Sequence, residues 1–219
     1  MMITKRLLII ALVICLAVPM LSNSVAEDEG KTLLTIYEGP RTMTSSNNAS
    51  VKVNGYDLFV YDVMVNHEHI WNANTLPSST PMTYFDFSSK VRIEIRMPGL
   101  PQAVQSAMVL PAAFGIEPKV ENETVSFIVT QPGQYTVIFN ESVNQALHIF
   151  ANPLEEDIPD KDDPNVYWIG PGEWVMDAIV LKDNETLYIS GGAVLHSIIS
   201  VANAKNVRIC GRGMIDGSD

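Results

Sequence analysis

Five carboxylates in the last quarter of the chain, Glu173, Asp177, Asp183, Glu185 and Asp216, are the residues whose type invites chemistry, because two opposed carboxyl groups can serve as acid and base on one bond. Their neighbours point elsewhere. Asp183 beside Asn184 and Asp216 beside Gly217 read as corner residues, and Glu185 reads as solvated. Glu173 and Asp177 fall just before a repeat begins. No catalytic residue is assigned. His67-Glu68-His69 could place two imidazoles on one strand face, as a metal would need, but no third ligand stands near. A polar strand end before Ile70-Trp71 accounts for it. No metal site or cofactor is expected, and substrate-binding residues are left unassigned. His148 and His196, each alone in an alternating pattern, read as hydrogen-bonded structural histidines. Trp71, Trp168, Trp174 and Tyr188 offer rings for a stacking ligand, although aromatic residues of a β protein more often fill its core. There is no phosphate-cradling glycine loop and no nucleophile elbow.

The elements that would position these side chains come in a repeat. Residues 178–197 and 198–217 superpose with apolar on apolar at Ala178/Ile198, Ile179/Ile199, Leu181/Val201, Leu187/Val207, Ile189/Ile209, Val194/Met214 and Leu195/Ile215. Asp183 falls on Asn203 and Gly191 on Gly211. Short strands with Asx or Gly corners at a fixed period of about twenty residues predict stacked coils, since one coil cannot cover its own apolar face. Two coils are short for a stable stack. The chain is therefore expected to be the front of a longer protein whose last coil presents an open edge.

Lys5-Arg6, the apolar run 7–21 and the small residues Ser24-Val25-Ala26 predict a signal peptide over residues 1–26, cleaved after Ala26. The expectation is a secreted or periplasmic protein with no stable membrane anchor after cleavage. Acidic residues outnumber basic ones 25 to 14, and losing the leader removes two bases and no acid, so polyanions are repelled and nucleic acid is not expected as a partner. Cys210 alone survives cleavage. No intramolecular disulfide can form, and its alternating context makes it a small buried hydrophobe.

Residues 27–152 predict an antiparallel β-sandwich of immunoglobulin-like size. Asn54-Gly55 between Val51-Lys52-Val53 and Tyr56 is a strong hairpin signal. Val91, Ile93 and Ile95 alternate with Arg92, Glu94 and Arg96, a strand is expected over 104–110, and Pro132-Gly133 predicts a type II turn between strands at 125–130 and 135–139. Residues 153–164, acidic and studded with proline, read as a linker able to bury nothing. Residues 165–219 then begin the coils, with Tyr167, Trp168 and Trp174 expected to plug the open start. Asn48, Asn122, Asn140 and Asn184 each open an N-x-Ser/Thr triplet, which matters where the source glycosylates exported proteins.

The runs 146–155 (ALHIFANPLE), 167–174 (YWIGPGEW), 186–196 (TLYISGGAVLH) and 206–217 (NVRICGRGMIDG) closely resemble the entry region of secreted pectin-lyase-fold glycosidases. The nearest resemblance is to the dextranase and isopullulanase family, and polygalacturonases share the helix. The resemblance implies an all-β fold, a sandwich followed by the first coils of a right-handed parallel β-helix. It also implies hydrolysis of a glycosidic bond in a polysaccharide, either a neutral glucan or a pectin-type polymer, by carboxylates roughly 5 to 9.5 Å apart. In that family the paired aspartates sit on later coils, and no such cluster stands in this sequence, so the chain is expected to be inactive alone. A non-catalytic carbohydrate-binding or cell-surface sandwich module is the alternative. A lyase would call for calcium ligands and a basic residue, and neither cluster is visible.

Overall fold

The computed structural model describes residues 32–66 and 78–217. The expected leader, His67-Glu68-His69 and Trp71 lie outside the described residues. The first strands are β1 (Leu34–Ile36), β2 (Ser50–Val53), β3 (Tyr56–Asp57), β4 (Tyr61–Asn66), β5 (Ser78–Phe87) and β6 (Val91–Arg96). Then follow β7 (Ala107–Leu110), β8 (Lys119–Glu121), β9 (Thr124–Val129), β10 (Gly133–Phe139) and β11 (Ser142–Pro153). Among the described residues the only helical element is one 3-10 turn, Ala112–Phe114, so the protein is all-β.

Side-chain alternation assigns the faces. Val91, Ile93 and Ile95 of β6 are buried while Arg92 and Arg96 are exposed, the pattern of a sheet wet on one side. This strand belongs to a five-stranded sheet ordered β3-β2-β6-β9-β8. A six-stranded sheet, β1-β5-β11-β10-β7 with β4 also on β5, faces it. Phe85, Phe87, Tyr135 and Leu147 from the second sheet meet Ile93 and Ile95 from the first in one core. Each such side chain contributes about 1.5–3 kcal/mol by leaving water.

Asn54 and Gly55 adopt φ of 48° and 85°, both positive, and close the β2–β3 hairpin as their sequence predicts. The same geometry recurs without glycine at Asn122-Glu123 between β8 and β9 and at Asn140-Glu141 between β10 and β11.

Three expectations are corrected. The sheets are not purely antiparallel, because β11 runs parallel to β5, from His148 beside Met82 to Pro153 beside Phe87. Five strands intervene between the two, and such an excursion is what allows a strand to return in the same direction. Pro132-Gly133 makes no type II turn: Gly133 already lies in β10, and the connection carries the chain from β9 in one sheet to β10 in the other. The strand expected over 104–110 is confined to Ala107–Leu110, although Val104 is buried in the core.

The remaining strands are β12 (Val166–Ile169), β13 (Gly172–Val175), β14 (Ile179–Leu181), β15 (Thr186–Ile189), β16 (Ala193–His196), β17 (Ile199–Val201), β18 (Arg208–Gly211) and β19 (Met214–Asp216). They form three small parallel sheets, β12-β15-β18, β13-β16-β19 and β14-β17, which the chain visits in the same cyclic order. Ile169, Ile179, Leu181, Leu187, Ile189, Ala193 and Leu195, drawn from all three, share one core.

Corresponding strands of the two repeats lie parallel and side by side in each of the three sheets, but their register differs from the uniform twenty-residue superposition. Ile179 pairs with Ile199 and Val194 with Met214, whereas Leu187 pairs with Ile209 and Ile189 with Gly211. The turn before β18 is two residues longer than that before β15, and the turn after it is correspondingly shorter. A slip of two preserves which side chains face inward, so hydrophobic patterning is blind to it.

Candidate functional site

The outer face of β5 carries Met82, Tyr84 and Asp86, because Phe85 and Phe87 point into the core. The coils pack on this face. Tyr84 forms a buried cluster with Tyr61, Met82 and Val194 of β16, and its hydroxyl accepts a 2.7 Å bond from the Gly192 amide. Tyr37 stacks on Tyr84 with ring centroids 5.3 Å apart. A Cβ at Gly191 would overlap the Tyr37 ring, so glycine is what lets the two elements approach.

Asp86 is completely buried beside them. It accepts a 2.8 Å bond from the Tyr37 hydroxyl and bonds of 3.1 and 3.0 Å from Nε of Arg212, whose Nη2 also donates to the Pro153 carbonyl at 2.9 Å. Burial, followed by Asp86, pushes the Tyr37 phenol above its ordinary pKa. Burial works against the Arg212 charge, but the bonds and charge of Asp86 outweigh it and the pKa is raised. Both groups of the ion pair are thereby satisfied in a site that water does not solvate freely. A cavity of about 260 Å³ opens next to it, lined by Met82, Tyr84, Phe150, Asn152 and residues 211–214.

The acidic linker is not idle, contrary to expectation. Glu155 is half-buried and accepts a 2.9 Å bond from the Tyr188 hydroxyl, and Arg208 donates to the Asp157 carbonyl at 3.0 Å. Burial, followed by Glu155, raises the Tyr188 pKa. Trp168 packs on Tyr188 at 4.3 Å, and Cys210 is next in this file. Cys210 is half-buried rather than fully buried, with its thiol pKa raised by burial, which disfavours the reactive thiolate. Trp168 therefore lies outside the coil core. Tyr167 and Trp174 are 41% and 43% exposed, so the expected plug is incomplete, although the Trp174 indole donates to the Gly170 carbonyl.

Of the five carboxylates, two are brought together. Glu173 of β13 and Asp216 of β19 lie 3.2 and 3.7 Å from opposite ring nitrogens of His196 on β16, forming a file across three successive coils. It can hold an imidazole in one orientation or, once protonated, an ion triplet. The other three serve corners: Asp183 accepts from the Lys205 amide at 2.8 Å, Glu185 from the Lys182 amide at 2.7 Å, and Asp177 is exposed. The file was missed because its members are one coil apart; the repeat period was the signal that could have found it. Among the described residues no group of three or more His, Cys, Asp or Glu is arranged to hold a metal ion. His148 bonds Thr136 at 2.9 Å, the structural role expected.

The triplet asparagines divide. The Asn140 side chain bonds the backbone at Ala103 and Gln105, and the Asn184 carbonyl accepts from Asn206 at 3.0 Å. Asn48 and Asn122 are exposed.

No protein-family model matches this chain, and no curated protein matches it. In structure it is similar to Dex49A from Penicillium minioluteum, with a TM-score of 0.61 and 16% sequence identity over 84% of this chain and 48% of that one. The likeness is one of fold, and the chain spans about half the length of that protein.

Proposed function

We propose that this chain is the N-terminal part of a secreted, polysaccharide-degrading glycoside hydrolase of the dextranase type. A leader over 1–26 cleaved after Ala26, a β-sandwich over 27–152, a linker over 153–164 and the first coils of a right-handed parallel β-helix over 165–219 make up its plan. The fold likeness to Dex49A carries this proposal. The cyclic visiting of three parallel sheets supports the helix, and parallel crossovers are right-handed in nearly all proteins. The inward-facing apolar residues Ile209 and Ile215 of the last coil, 47% and 49% exposed, support further coils stacked on them. Those coils would supply the paired aspartates, and the described residues supply the platform.

The mature chain is expected to release no reducing ends from dextran, pullulan or polygalacturonate. Fusion to a downstream coil block bearing paired aspartates is expected to produce hydrolysis. Turnover by the mature chain alone, or elimination products with an unsaturated sugar end, would contradict it. Retardation of the mature chain in glucan-containing native gels would favour the carbohydrate-binding module instead.

A further inference from the structure

At the end of the sandwich where Ser50 of β2 pairs with Arg96 of β6, the connection 97–106 folds back over the strand ends and leaves a cavity of about 620 Å³. The connection is pinned in two places. The Gly99 amide donates to the Asn48 carbonyl at 3.2 Å, and the Asn140 side chain bonds the Ala103 carbonyl and the Gln105 amide. Between these ties Leu100 and Val104 pack on the sandwich core. A loop fixed on a rigid sheet is a ready frame for a ligand, and the volume is that of a small-molecule site.

The lining sorts into three kinds of group. Met97, Leu100 and Val104 give an aliphatic floor, with no aromatic ring among the described lining residues. Ser50, Gln102 and Asn122 offer uncharged donors and acceptors. Arg96 and Glu123 bring opposite charges to the same cavity. Arg96 commits its Nε to the hydroxyl of Thr124, the residue after Glu123, at 3.0 Å, which leaves both Nη groups for a planar anion. On the same sheet Lys52 pairs with Asp57 and Arg92 with Glu94. Among the described residues, by contrast, Arg96 and Glu123 pair neither with each other nor with any other charge.

We propose that this cavity binds a short free peptide with aliphatic side chains, a di- or tripeptide. Its carboxylate lies on the Arg96 Nη groups and its ammonium on Glu123. Its peptide groups meet Gln102 and Asn122, and a side chain rests on Leu100 and Val104. Every kind of lining group thereby gains a partner. A polyanion would meet Glu123, a polycation would meet Arg96, and a sugar finds no ring on which to stack. The site lies on the sandwich, away from the coils, so it goes beyond the hydrolase reading and stands or falls without it.

The test titrates the mature chain with leucyl-leucine, followed by calorimetry and by the side-chain amide resonances of Gln102 and Asn122. Saturable binding with a Kd at or below about 1 mM is expected, with both resonances shifting. N-acetyl-leucyl-leucine and leucyl-leucinamide each lack one charge and are expected to bind at least about tenfold more weakly. Arg96 and Glu123 are exposed, so their variants keep the fold. Arg96→Met is expected to weaken leucyl-leucine about tenfold and leave leucyl-leucinamide unchanged. Glu123→Gln is expected to weaken leucyl-leucine likewise and leave the N-acetyl peptide unchanged. Equal affinity for the three peptides, or no saturation by leucyl-leucine up to about 10 mM, would overturn the proposal. Saturation by maltose with the same two resonances shifting would assign the cavity to a sugar and overturn it as well. Hydrolysis by the chain fused to a downstream coil block reads out the hydrolase proposal separately, and Arg96→Met should leave it unchanged.

Discussion

Nε of Arg212 lies 3.1 and 3.0 Å from the two carboxylate oxygens of Asp86, across 126 residues of sequence, and Asp86 is wholly buried. This contact ties the third coil to the outer face of β5. Arg212→Met leaves a buried carboxylate that keeps the Tyr37 hydroxyl bond but loses its countercharge, and is expected to cost about 3 kcal/mol in urea unfolding. The double variant Asp86→Asn, Arg212→Met is expected to recover part of that loss. Equal losses in the two would show that the charge pairing is not what matters.

Gly211 has φ of 115°, and a Cβ there would overlap the Ile189 carbonyl oxygen beside it; at Gly213 a Cβ would overlap the Ile189 side chain. Gly211→Ala is expected to destabilise the coils by about 2 kcal/mol or more, through backbone that cannot give way. Gly217→Ala, with nothing within 4 Å, is the control and should be silent. Thermal unfolding of the three proteins decides.

Tyr37, Tyr61, Tyr84 and Tyr188 all have pKa values raised by burial above the ordinary value of 10.0. Their neutral phenols are favoured in the folded state, so their contribution is intact below the unfolded pKa and is lost as pH climbs from there toward the folded values. Denaturant midpoints should therefore hold up to about pH 9 and fall steeply above about pH 10. Tyrosinate absorbance should appear together with unfolding, and titration of all tyrosines in the folded protein at ordinary pH would contradict the packing at the seam.

Asn140 combines a φ of 51° with side-chain bonds to the Gln105 amide at 2.8 Å and the Ala103 carbonyl at 3.2 Å. Asn140→Ala is expected to cost about 2 kcal/mol, from both lost bonds and the strained backbone. Asn122→Ala, at a comparable φ of 49° on an exposed hairpin, should cost about half as much. Equal costs would mean that the Asn140 bonds contribute nothing measurable.

Much of the fold could be read locally. Alternation in Val91 to Arg96 fixed the faces of β6, and Asn54-Gly55 fixed a hairpin because few residue pairs accept two positive φ angles. The similarity of 178–197 to 198–217 placed Leu187 and Ile209 in one parallel sheet. The candidate site was less legible, since Glu173, His196 and Asp216 become neighbours only after the chain has completed a turn.

The sequence by itself determined the all-β class, the inward and outward faces of strands such as β6 and the twenty-residue repeat, since these follow from side-chain period and turn chemistry within a few residues. Only the tertiary structure decided the two-residue slip that sets Gly211 on Ile189, the parallel pairing of β11 with β5, and the burial of Asp86 against Arg212. A slip of two leaves the hydrophobic pattern unchanged, and strand partners and distant charges are chosen by packing between surfaces that exist only once both have folded.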